Sequence, residues 1–223
     1  MEAKITIRDL FDLSHSITGE RLCAFTYPHE VLPHIGKWIL EIGATLDPLL
    51  YDHPTEGVWI AKSAEVAPSA YIEGPAIICE GAKLRHCAYL RANVIVGAGA
   101  TVGNSSEIKN AILFDGAQVP HFNYVGDSIL GHRAHLGAGA ILSNFRSDGA
   151  NITIHAGDVN METGLRKLGA FIGDFGEIGC GAVLNPGTVV GRRAMIYPLS
   201  SVRGFVPEQH IYKAKDTVVP RLL

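Results

Sequence analysis

The feature that most constrains this chain is a strict six-residue period. From residue 60 onward every sixth position is apolar: Ile60, Val66, Ile72, Ile78, Leu84, Leu90, Val96, Val102, Ile108 and Phe114. Hydrophobic residues make up 47% of the 223-residue chain. Ten such positions in a row therefore arise by chance about once in two thousand per frame. Four residues after each of the earlier ones stands a small or aliphatic residue, as at Ala64, Ala70, Ala76, Ala82, Ala88 and Ala100. Neither a 3.6-residue helix nor simple strand alternation produces a period of six. The frame slips near 113, resumes at Val119 and Val125, and slips again to Leu130, Leu136 and Leu142. After an interruption it returns at Ile172, Ile178, Leu184, Val190, Ile196 and Val202.

Such a period predicts an all-β solenoid, a parallel β-helix of triangular section with one short strand per side and about 18 residues per coil. The apolar position fills the axis, and the small residue sits near the crowded corner. About seven coils at about 4.8 Å each give a prism roughly 34 Å tall. The 25 glycines serve its tight turns, and aromatic residues are only 8% of the chain. An antiparallel sandwich would not need so fixed a count.

Three segments follow from where the repeat begins and ends. Residues 1–57 read as a helical N-terminal arm, because Val31, Ile35, Trp38, Ile39 and Ile42 have helical spacing and Gly43 is placed to stop a helix. This arm is expected to pack over the open end of the prism. Residues 58–206 form the β-helix, interrupted by an excursion over 145–170 in which Ile152 and Ile154 alternate like a strand. Residues 207–223 are a C-terminal tail. A net charge of −3 argues against a basic nucleic-acid-binding surface. Without an apolar run of about 18 residues or a signal-peptide core, the reading is no membrane span and a cytoplasmic protein. The four cysteines show no CxxC spacing, so free thiols are expected and no metal site.

Counting sides in threes places Leu90, Ile108, Val125 and Leu142 on one side of successive coils. Their outward neighbours then share a face: Arg91 and Lys109 in one column, Glu107 and Tyr124 beside them. His121 falls on the corner entering this face and Asn144 on the corner leaving it. Arg91 and Lys109 alone would read as an ordinary solvated wall. With the other four they suit an anionic group, with an imidazole alongside as general base. His86 and His121 could approach each other as zinc ligands, but His132 and His135 fall on other sides, so a third ligand is missing.

The segment VGNSSEIKNAILFDGAQVPHFNYVGDSILGHRAHLGAGAILSNF resembles the acetyltransferase domain of the bifunctional N-acetylglucosamine-1-phosphate uridyltransferase/glucosamine-1-phosphate acetyltransferase family. SNFRSDGANI and RKLGAFIGDFGEIG resemble the same domain in archaeal sugar-1-phosphate nucleotidylyltransferases. The resemblance implies a left-handed parallel β-helix of hexapeptide-repeat type and a homotrimer with sites between subunits. It implies acetyl transfer from acetyl-CoA, the co-substrate, to the amine of a hexosamine 1-phosphate on the way to UDP-N-acetylglucosamine. Residue by residue, it makes His121 the general base, Glu107 its neighbour holding the sugar, Asn144 a contact to the amine and Ala138 the oxyanion donor through its backbone N–H. Arg91, Lys109, Tyr124 and His135 fall at acceptor-binding positions. Cys180 falls near the acetyl-CoA, whose phosphates would meet basic groups among Arg192, Arg193, Arg203, Lys213 and Lys215.

Three positions depart from the family pattern. His135 stands where Asn is common, and Phe145 where Tyr is. A longer excursion replaces the short loop with a phosphate-binding lysine, leaving Arg146, Arg166 or Lys167 to stand in. The nucleotidylyltransferase domain is absent, which points to a separate nucleotidylyltransferase as a partner. Two alternatives stay open: a non-catalytic subunit binding a sugar phosphate or nucleotide sugar, and a zinc enzyme resembling the γ-class carbonic anhydrases.

Overall fold

The computed structural model describes residues 4–215 and 217–221. The chain winds as a parallel β-helix with three sides. The first side stacks strands through Ile72, Leu90, Ile108, Val125, Leu142, Leu184 and Val202. The second stacks Ile60, Ile78, Val96, Leu113, Leu130, Ile172, Val190 and Val206. The third stacks Val66, Leu84, Val102, Val119, Leu136, Ile178, Ile196 and Tyr212. These residues meet on the axis, with the alanines of the repeat beside them. Each coil's backbone is hydrogen-bonded to the coils above and below, so the axial core can be wholly apolar. An antiparallel strand, Tyr51–Thr55, pairs with the first strand of the second side, and a hairpin of His210–Ala214 with Thr217–Pro220 finishes the third.

The expected frame slip is a structural device. The axial residue after Ile108 is Leu113, and Phe114, assigned to the axis by the period, points outward against Phe11. Strands Glu107–Leu113 and Tyr124–Leu130 run straight from the first side into the second through Asn110 and Asp127, both with positive φ (46° and 48°). A left-handed residue turns the corner in one residue fewer. Asn110 and Asp127 therefore lie 17 residues apart, against the 18 between Ser69 and Cys87 in an ordinary coil.

The N-terminal arm departs from expectation in where it packs. Helices Ile7–Leu10, Gly19–Leu22 and Ile35–Gly43 lie along the outer wall of the second side, not over an open end. That wall exposes a ladder of Ile77, Ile95, Ile112, Ile129, Phe171 and Val189, which the arm and the excursion reduce to 1% exposure or less. Leu10, Val31, Leu32, Ile35, Trp38 and Ile39 cover it from the arm, and Ile152, Ile154 and Ala156 from the hairpin Thr153–Ala156 with Val159–Glu162. The arm is also tied to the corner between the second and third sides. The Asp174 carboxylate accepts from the Asp12 N–H at 2.7 Å and the His132 N–H at 2.8 Å, and the Asp115 N–H donates to the His15 carbonyl. Gly43 does not end its helix by a left-handed turn; it lets the helix approach Trp59, whose ring would stand 2.4 Å from an added Cβ. No helix among the described residues is long and apolar enough to cross a membrane.

Candidate active site on the first side

The register brings together the six residues expected on the first side and its two corners. Glu107 pairs with Tyr124, and Tyr124 with Ile141. Arg91 continues the strand that pairs with Glu107 and Ile108. Arg91 Nη1 donates to Glu107 Oε1 at 3.1 Å, and Lys109 Nζ lies 3.6 Å from Asp127 Oδ2. Neither cation is thus left bare. Each has a carboxylate beside it, so the wall is close to neutral where an anion would dock. Glu107 faces Arg91 instead of His121, whose ring makes no hydrogen bond among the described residues.

Asp127 is the residue that sequence reasoning missed. It is 5% exposed and occupies the left-handed corner. Asn110 Nδ2 donates to its Oδ1 at 2.9 Å, and the Asn144 amide donates to its Oδ2. Lys109 completes the set, so one buried carboxylate fixes a cation and two amides; a buried charge needs such partners. Gly126 is required beside it. An added Cβ would stand 2.6 Å from Asn144 Nδ2 and 2.7 Å from the Tyr124 hydroxyl, which meet over this backbone. Burial, with the Glu107 and Asp127 charges nearby, pushes the Tyr124 hydroxyl above the usual phenol range and keeps it a proton donor.

The corner entering the face is built as a column. Backbone bonds from Phe122 to Asn104, Gly139 to His121, Gly181 to Ala138 and Leu199 to Cys180 align Asn104, His121, Ala138 and Cys180. Adjacent members are one coil, about 4.8 Å, apart. The buried Asn123, also unforeseen, locks this column. Its Oδ1 accepts from the His121 N–H at 2.9 Å, and its Nδ2 donates to the carbonyls of Gly137 at 2.8 Å and Ala140 at 3.1 Å. One amide therefore ties the turn carrying His121 to the turn carrying Ala138. His121 and Ala138 are both exposed, and the Ala138 N–H has no hydrogen-bond partner among the described residues. An imidazole and a free N–H one coil apart can serve a proton transfer and an oxyanion at the same carbon.

The remaining expected site residues are dispersed. His135 lies on the third side, its Nδ1 3.0 Å from Glu177 Oε2, away from Arg91, Lys109 and Tyr124. Arg192 and Arg193 stand at the corner between the second and third sides. Arg192 bonds the Arg8 carbonyl near Asp174, and Arg193 lies over the Phe175 ring. Arg203 lies near the excursion, with Arg146 and His155. Lys213 alone approaches the His121–Cys180 corner, 5.8 Å over the Tyr197 ring, and Lys215 is exposed beyond it. Of the stand-ins for the loop lysine, Arg146 is held by Asp148. Arg166 and Lys167 instead line a 460 Å³ cavity with Asn110, Asp127, Phe145, Leu165, Leu32 and Pro33. No three His, Cys, Asp or Glu side chains converge as metal ligands among the described residues.

Comparison with known proteins bears out the resemblance read from the motifs. Residues 72–178 match the family described as the GMPPB C-terminal domain. A bifunctional sugar-1-phosphate nucleotidylyltransferase/acetyltransferase of Sulfurisphaera tokodaii is 36% identical over 141 residues, 63% of this chain and 35% of that protein. The bifunctional protein GlmU of Methanococcus aeolicus is 32% identical over 174 residues, 70% of this chain and 42% of that one. The chain thus spans well under half the length of these relatives. Among solved structures, a perosamine N-acetyltransferase of Caulobacter crescentus with CoA and GDP-perosamine is 20% identical with a TM-score of 0.34, covering 72% of this chain and 54% of that one.

Proposed function

We propose that this chain is an acetyl-CoA-dependent N-acetyltransferase acting on the amine of a hexosamine 1-phosphate. The observation that carries the reading is the alignment of His121 and the free Ala138 N–H on one corner, opening onto a wall of Arg91, Glu107, Lys109 and Tyr124. The amine nitrogen attacks the thioester carbonyl directly, the new C–N bond forms, and the CoA thiolate departs. His121 takes the amine proton, and the Ala138 N–H stabilises the oxyanion. Asn144, anchored by Asp127, orients the amine, and holding both reactants in register supplies much of the rate. The phosphate end lies toward the cavity lined by Arg166 and Lys167, because the Arg91 and Lys109 charges are each already shared with a carboxylate.

The acetyl-CoA thioester fits along the corner from Ala138 to Cys180, with Lys213 the nearest of the expected phosphate contacts. The site wall is flat, whereas a small ligand needs enclosure. A second prism alongside supplies the missing wall, so the active form is a homotrimer of about 72 kDa built from 23.9 kDa chains. Its product, an N-acetylhexosamine 1-phosphate, suits a separate nucleotidylyltransferase. Incubation with acetyl-CoA and a panel of hexosamine 1-phosphates and nucleotide-linked amino sugars, read as free thiol released, tests the reading. Turnover with a 1-phosphate is expected; binding without thiol release would favour a non-catalytic sugar-phosphate subunit.

A further inference from the structure

A second reactive constellation lies on the same corner two coils before His121, where Ser69, His86 and Cys87 meet. His86 Nε2 is 3.3 Å from Cys87 Sγ, and His86 Nδ1 is 2.6 Å from Ser69 Oγ. The Cys87 N–H donates to that same Ser69 oxygen at 3.1 Å. Ser69 stands one coil before Cys87, so the solenoid register itself sets the ring between a hydroxyl and a thiol. A ring nitrogen fixed on one side by a hydrogen bond and touching sulfur on the other is the arrangement that activates a cysteine nucleophile. The other cysteines differ: Cys79 is buried, while Cys23 and Cys180 are exposed with no imidazole hydrogen-bonded to the sulfur among the described residues. Beside the ring runs a groove of 500 Å³ lined by Lys83, Arg85, His86, Asn104 and Glu65. Lys83 is paired with Glu65 at 3.0 Å, and Arg85 has no ion-pair partner among the described residues, so the groove keeps one uncompensated cation.

We propose that Cys87 and His86 form a nucleophilic thiol–imidazole pair, oriented by Ser69, that exchanges with small carboxylate-bearing disulfides drawn to the Lys83–Arg85 groove. His86 Nε2 takes the Cys87 proton as the sulfur attacks one sulfur of the disulfide. The Cys87 S–S bond forms and the original S–S bond breaks. The departing thiolate recovers the proton from His86, so Cys87 is oxidised to a mixed disulfide while the reagent is reduced to a thiol. This inference does not depend on the acetyl-transfer reading.

The test is incubation of the whole protein with oxidised glutathione, with adducts located by peptide mass mapping. Cys87 is expected to form the adduct at least tenfold faster than Cys23 or Cys180. His86→Gln and Ser69→Ala should slow Cys87 alone, with thermal melts confirming that each variant is folded. Changing Lys83 and Arg85 to Gln should slow the reaction with oxidised glutathione but not with the neutral 2-hydroxyethyl disulfide. Equal rates at Cys87 and Cys23, or an unchanged Cys87 rate in folded His86→Gln, would overturn the pair. Equal slowing with both disulfides would overturn the role of the groove.

Discussion

The first and second sides of this prism share two strands and one core but meet opposite fates. Strand Glu107–Leu113 carries Glu107 and Lys109 outward on its first half, then turns at Asn110 and carries Ile112 outward on its second. The first half stays open and polar, while the second is sealed under the arm. One axial core supports both, so the outer residues alone decide which wall is stabilised by cover and which is left for chemistry. Burying the second wall removes apolar surface from water at about 25 cal/mol per Å². The first wall forgoes that gain and keeps paired charges open to solvent.

The largest expected effect breaks this division from the covered side. Ile112→Asp places an unpaired charge under the arm and should cost more than about 4 kcal/mol, seen as loss of the cooperative melt. On the open side, His121→Ala should lower kcat by about 100-fold, near 2.7 kcal/mol of barrier, with the melt unchanged. An unaffected rate would remove His121 from the chemistry. At the corner joining the two walls, Asp127→Asn retains size but loses the carboxylate. It should cost about 1–3 kcal/mol in denaturant and raise KM for the phosphorylated acceptor, because Lys109, Asn110 and Asn144 lose a common anchor.

The covered wall also sets a response to alkali. Burial pushes the Cys79 thiol up to about 12, above an unfolded value near 9. The unfolded chain releases this proton first. The stabilisation is therefore complete below about pH 9 and is lost as pH rises toward 12, at up to about 1.4 kcal/mol per pH unit. Denaturation midpoints from pH 8 to 11 should fall, and Cys79→Ala should flatten the slope. The smallest effect sharpens the contrast: Arg91→Ala, which breaks only a solvent-exposed ion pair, should leave the melting midpoint unchanged while weakening acceptor binding measured by calorimetry.

The axis was legible because a six-residue period survives any outward decoration. It misled at Phe114, where the left-handed corner at Asn110 removes one residue and hands the axis to Leu113. The covered wall had its own signature in the consecutive apolar triplets 76–78, 94–96, 111–113 and 170–172, the pattern of strands buried on both faces. That signature also shows where the arm packs, which helical spacing alone could not. Residues whose columns follow from counting, Arg91, Glu107, Lys109 and Tyr124, do share one face. Asp127 and Asn123 were not legible, since an Asp after Gly or an Asn before Tyr reads as turn chemistry. Their importance comes from partners one coil away. His135 came from family correspondence and the arginines at 192 and 193 from their place in the C-terminal coils, and neither reading fixes which side a residue occupies.

The position of the arm bears on the order in which the molecule can be assembled. The arm is made before the solenoid, yet the wall it covers is completed only when the strands around Phe171 and Val189 have been wound. Its docking at Asp174 and the Lys4–Glu208 ion pair join residues 162 and 204 positions apart. Coils can add to one another through neighbour contacts as they emerge, but the arm's apolar face must wait through most of synthesis. Closure of the arm is accordingly the late, long-range step of folding. Until it occurs, the nascent solenoid carries an uncovered isoleucine ladder, which makes that interval the one in which a chaperone or a second chain can engage it.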